Sequence, residues 1–107
     1  MRLYRPVGEH EHKLIKASGF QTFPKRLPEQ PIFYPVINLE YARYIASNWN
    51  KPIGYVTAFE INDDYISLFE IHTVGSHIHQ EYWIPADELD EFNKNIIGNI
   101  DIIEKYT

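Results

Sequence analysis

The sequence predicts an α+β domain, on three observations. The chain has 107 residues, one domain's worth, since single domains peak near roughly 100–150 residues. Its 44% hydrophobic and 15% aromatic content, against 23% charged, is that of a chain able to bury a core, not of a disordered or collagen-like one. Strand and helix signals also follow one another irregularly: strand, helix, strand, helix, then mostly strands with one more helix. A doubly wound parallel fold would alternate them regularly.

The first strand is expected over Arg2 to Pro6, with Leu3 and Arg5 on one face and Tyr4 on the other. Pro6 and Gly8 end it, and a helix over Glu9 to Ala17 carries Leu14 and Ile15 and stops at Gly19. Phe20 to Pro31 holds Pro24, Pro28 and Pro31 among charged residues, which reads as an exposed, stiff loop. Ile32 to Ile37 has strand composition, but Pro35 cannot donate to a ladder and so suggests an edge or a bulge. Asn38 is a good N-cap for a helix over Leu39 to Asn48, with Leu39, Ala42, Ile45 and Ala46 inward.

Asn50 to Gly54 reads as a turn, Tyr55 to Ile61 alternates as a strand, and Tyr65 to Val74 is extended. Asp63-Asp64 is turn chemistry. Ile78 to Ile84 is the next strand, closed by Pro85. The run from Pro85 reads as a helix with acidic residues in its first turn, Leu89 and Phe92 inside, and Gly98 as its stop. Asn99 to Tyr106 is the last strand. No repeat, low-complexity tract or linker divides the chain, so residues 1–107 form a single domain.

Charge and composition exclude several function classes. Ten Lys and Arg against 15 Asp and Glu give a net charge of -5, which disfavours nucleic acid as a stable partner. No apolar run approaches the roughly 20 residues that span a bilayer, and the N-terminus lacks the apolar stretch of a secretory signal. Without cysteine there is no disulfide framework, thiolate zinc site or Cys nucleophile. A cytoplasmic protein without a membrane partner is the expectation. Dinucleotide dehydrogenases, P-loop NTPases and α/β-hydrolases have no support, because their glycine and nucleophile motifs are missing.

Two groups of residues could carry chemistry. His77, His79 and Glu81 alternate at period two, so a strand would project all three from one face, where they could hold Zn²⁺ or Fe²⁺ with His72 as a fourth ligand. The alternative is a solvated strand face, and no metal is expected. His10 and His12, two apart on a helix, do not converge. Glu81 lies in an apolar and aromatic strand, where a carboxylate either faces solvent from an edge or is held in a cleft. Arg5 is the counterpart in the first strand, a planar fork suited to phosphate or carboxylate, although most such arginines pair with an acid of their own fold.

Several segments read together: LYRPVG at Leu3 to Gly8, FPKRLPEQPIFYPV, LEYARYIASNWN, GYVTAFEI and HQEYWIPADELDEFN. Over nearly its whole length the chain resembles a family of small bacterial proteins labelled "ADP-ribosylation/crystallin J1". The layout is similar to a minimal ADP-ribosyltransferase, a compact split β-sheet or sandwich around an NAD cleft, here with about three helices. The resemblance implies that Glu81 is the catalytic carboxylate. It also implies an NAD-binding set of Arg5 as phosphate anchor, Tyr34 as nicotinamide platform, and Tyr4. The family's second motif is not matched by a serine; Ile32-Phe33-Tyr34-Pro35 stands in its place.

The implied activity transfers ADP-ribose from NAD⁺ to a protein or nucleic-acid target, or hydrolyses NAD⁺. Its chemistry suits these residue types: a carboxylate stabilises the oxocarbenium-like centre, an arginine meets the pyrophosphate, and an aromatic ring holds the leaving base. Two other readings stand beside it. One is a non-catalytic interaction or neutralising factor on the same fold, favoured by the aromatic content and acidic charge. The other is a small metal-dependent enzyme built on His77, His79 and Glu81.

Overall fold

In the computed structural model, which describes residues 1–75 and 79–107, the chain folds as an α+β domain around an antiparallel sheet. Strand β1 (Arg2–Gly8) pairs with β3 (Gly54–Ile61) along its whole length, from Arg2 opposite Glu60 to Gly8 opposite Gly54. The long strand β7 (Ile96–Tyr106) lies on the other side of β3. The sequence ends β1 at Pro6, but the ladder continues through it. Tyr4 exchanges two backbone hydrogen bonds with Val36, at 2.9 and 2.7 Å, on the side away from β3. Alternation turns the Pro6 nitrogen to that same side, so the β1–β3 ladder loses no donor.

The second half of the sheet runs through Val36. The segment 31–37 is antiparallel to 80–86 in one constant register. Strand β2 (Ile32–Phe33) pairs with β6 (Ile84–Pro85), and Val36 stands opposite Glu81 in β5 (Gln80–Tyr82). A short strand β4 (Ile71–Thr73) closes this side, with His72 opposite Glu81. Pro35 is therefore not at an edge: its segment lies between β1 and β5. Its carbonyl accepts the Tyr82 N–H at 2.9 Å. Its missing N–H interrupts regular pairing and leaves Val36 as a one-residue bridge.

Helices cover both faces. Helix α1 (Glu9–Ala17) buries Ile15 against Leu3 and Val7 of β1, in a core that also holds Phe23, Phe33, Phe59, Phe92 and Ile100. Leu14, the neighbouring apolar residue, is exposed, because adjacent residues of a helix do not share one face. On the opposite face α2 (Leu39–Asn48) sets Ala42 and Ala46 against Val36 and Val56, with Tyr4 packed beside them. This contact brings backbone close to backbone: a Cβ on Gly54 would stand 2.2 Å from the Ala46 carbonyl oxygen.

The structure corrects several other boundaries. The Pro-rich loop is anchored, not wholly exposed, since Phe23 enters the core and its backbone N–H and C=O are both held by the Asn93 side chain, at 2.9 and 3.0 Å. Tyr65 to Val74 is extended only at β4. Asp63–Ile66 instead closes as a helical turn, α3, capped by the Asn62 side chain accepting the Tyr65 N–H. The expected helix from Pro85 to Gly98 shortens to a 3₁₀ turn at Ala86–Glu88 and α4 (Leu89–Lys94), and β7 already begins at Ile96. Gly98 sits inside that strand with φ 77°, where the β3–β7 register shifts. A glycine at positive φ marks a bulge as readily as a helix stop. Among the described residues no helix is long and apolar enough to cross a membrane.

Gly54→Ala is expected to destabilise the protein by about 3 kcal/mol, because the added methyl meets rigid backbone. Gly19→Ala, at φ 75° with nothing within 4 Å of the new Cβ, costs only about 1 kcal/mol of backbone strain. Chemical denaturation of the two variants checks the order.

Candidate active site

Glu81 is where the strand pattern and the packing meet. Its register opposite Val36 turns its side chain toward α2, and the residue is only 7% exposed. Each oxygen accepts one neutral donor: Tyr41 Oη–H at 2.8 Å on Oε1 and Trp83 Nε1–H at 2.7 Å on Oε2. Of the two positions left open by the sequence, solvent edge or cleft, Glu81 occupies the cleft. Burial, with the Glu81 hydrogen bond and negative charge behind it, pushes the Tyr41 phenol up to about 12.

These groups line a cavity of about 500 Å³ together with Arg5 and Tyr34. The Tyr34 and Trp83 rings meet almost perpendicularly, at 87° with centroids 6.5 Å apart. They form two walls of a corner that stays 39% and 43% exposed. Two histidines back the donors of Glu81. His72 stacks on Trp83 at 3.7 Å and 5°, and His79 stacks on Tyr41 at 4.4 Å and 16°.

Arg5 reaches the cavity from the α1 side. Its Nε and Nη2 donate to Glu11 at 2.7 and 2.8 Å, a bidentate pair, and its guanidinium carbon lies 4.5 Å from the Phe33 ring centroid. This is the internal acid partner that a strand arginine usually finds. Nη1 donates to the Tyr34 carbonyl at 3.3 Å, which leaves one N–H of that nitrogen for another acceptor. Arg26 approaches the same Phe33 ring at 6.0 Å, and burial followed by the Arg5 charge holds its guanidinium below the usual value.

The structure thus brings Arg5, Tyr34 and Glu81 to one cavity and leaves Tyr4 outside its lining. Tyr4 packs against the Val36 core, with the Arg2 guanidinium over its ring at 5.7 Å. His77 of the possible metal set lies outside the described residues. Among the described residues, no group of three His, Asp or Glu is placed to hold a metal ion. His12 stacks on Tyr55 at 3.9 Å.

Sequence reasoning missed Tyr41 and Trp83 as partners of Glu81. Trp83 was within reach of the period-two rule, being two residues beyond Glu81 on one strand face. Tyr41 shares a helix face with Ile45, four residues on, and both line the cavity. Nothing in the sequence alone says which strand that face meets.

Searches against protein-family models, curated proteins and solved structures find no match for this chain.

A raised Tyr41 value has a definite sign for stability. The folded state favours the neutral phenol, so its contribution is full below the ordinary tyrosine value of about 10. It is lost as pH rises through about 12. Stability measured between those limits should fall less steeply in Tyr41→Phe than in the parent, and an equal slope would contradict the assignment.

Proposed function

We propose that the protein cleaves the nicotinamide–ribose bond of NAD⁺ and passes ADP-ribose to a macromolecular acceptor or to water. The single observation that supports this reading is convergence. Arg5, Tyr34 and Glu81, from three distant parts of the chain, line the same 500 Å³ cavity. The division of the sheet at Val36 is in keeping with the split-sheet architecture of ADP-ribosyltransferases.

In this reading each residue has a separate task. The Glu81 carboxylate, fixed by Tyr41 and Trp83, faces the anomeric carbon and stabilises the positive charge that develops as nicotinamide leaves. Because two donors already occupy it, it acts as a fixed negative charge, not as a mobile base. Tyr34 and Trp83 enclose the nicotinamide ring between their walls. Arg5 offers its remaining Nη1–H to a phosphate oxygen while Glu11 keeps the fork oriented.

A second reading is favoured by the exposed aromatic residues of α2 and its end, Tyr44 at 49% and Trp49 at 71%. They suit a protein partner and no catalysis. The two readings part on one assay: release of nicotinamide from NAD⁺ by the purified protein, beside Glu81→Gln. Transfer or hydrolysis predicts release that falls about 10²–10³-fold in the variant. Undiminished release in Glu81→Gln overturns the role of Glu81, and no release with a co-purifying partner favours the interaction protein.

A further inference from the structure

The charge of Glu81 has no counter-charge among the described residues: no Lys, Arg or His of these stands within ion-pair distance of its carboxylate. Arg5 lines the same cavity but is taken by Glu11 in a bidentate pair. Glu81 is instead held by two neutral donors, which satisfy hydrogen bonding without cancelling charge. A buried carboxylate in that condition carries a desolvation cost that an incoming cation relieves.

The walls beside it suit a particular kind of cation. Tyr34, Tyr41 and Trp83 line the cavity with the carboxylate, and the first and last stand perpendicular to each other. Aromatic faces attract a cation through their quadrupoles, most strongly when that cation is weakly hydrated and carries its charge over carbon. A hydrated metal ion or an ammonium needing three acceptors is poorly served here. Glu81 has two oxygens, each already accepting one bond, and among the described residues no second carboxylate lines the cavity. A delocalised or alkylated organic cation needs no such set.

The geometry points to the cavity at Glu81 as a receptor for a small organic cation, a pyridinium or a quaternary ammonium, selected by charge over its neutral isosteres. The inference deepens the proposed reaction and rests on that reading only for its cargo, since the nicotinamide of NAD⁺ is itself a pyridinium. It implies that the site discriminates the oxidised dinucleotide, whose nicotinamide ring is cationic, from the reduced one, whose dihydronicotinamide ring is uncharged. It also implies that nicotinamide, neutral once the glycosidic bond has broken, loses its hold and leaves.

The test is calorimetric titration of the purified protein with two cation and neutral pairs. The pyridinium pair is N-methylnicotinamidium against nicotinamide; the ammonium pair is choline against dimethylbutanol, its neutral carbon isostere. In at least one pair the cation is expected to bind about tenfold more tightly than the neutral compound. Preference in the pyridinium pair alone identifies nicotinamide-type cargo, and preference in the choline pair alone identifies an alkylammonium. Glu81→Gln, isosteric and still able to accept a hydrogen bond, should reduce the preference to near parity. Trp83→Phe should weaken the cation about threefold or more while affecting the neutral partner less.

Equal affinity within both pairs, or no binding of either cation, overturns the inference. Because that comparison is made on the parent protein, it holds even if a variant fails to fold. Cation selectivity without NAD⁺ cleavage would sink the proposed reaction and leave the cation site standing. NAD⁺ cleavage without charge preference would do the reverse.

Discussion

The site depends on Val36, a single residue that joins two half-sheets. Its N–H and C=O both bond to Tyr4 of β1, while the residues on either side bond to β5 through the Pro35 carbonyl and the Ile37 N–H. One register then carries Tyr34, Glu81 and Trp83 together and sets them beside β1. A slip of one residue would turn Glu81 and Trp83 into the aromatic core and bring Tyr82 and Ile84 out. The register is held by that exchange: Phe33, Tyr82 and Ile84 belong to the core on the α1 face, and Val36 to the one beneath α2.

Charges are distributed around this junction in two different ways. Arg5 and Glu11 neutralise each other in a bidentate pair, with the guanidinium over the Phe33 ring. Glu81 is buried to a similar degree but, among the described residues, is met by a phenol and an indole and no cation. The first arrangement holds β1 to α1 without needing anything further. The second leaves net negative charge at a half-open aromatic corner, and this asymmetry gives the cavity its chemical character. Burial raises the Tyr41 phenol first, and the Glu81 hydrogen bond and charge add to the rise.

Coverage of the sheet on both faces explains why β3 is buried at almost every position although its sequence alternates. It also explains Gly54, where α2 crosses so closely that a side chain has no room. Leu14 and Phe23 show the complementary effect. A helix with one buried stripe leaves Leu14 outside, and a loop rich in proline still yields Phe23 to a core with space for it. Local composition states what a residue prefers, and the available volume decides whether it is used.

Helices α1 and α2 were legible to their end residues in the sequence, because proline, glycine and polar caps act through local backbone geometry. The α+β class was legible in the order of elements, and Arg5 and Glu81 as candidates in their residue types and surroundings, whereas Tyr34 entered through the resemblance alone. The bulge at Gly98 and the passage of β1 through Pro6 were not, since each depends on which neighbouring strand meets the backbone there. Tertiary structure alone decided that Glu11 occupies Arg5, that Tyr41 and Trp83 hold Glu81, and that Tyr4 packs against the Val36 core. The physical reason is range. Turn and cap chemistry operates within a few residues of chain, whereas a buried charge is defined by partners that only long-range packing brings within hydrogen-bond distance.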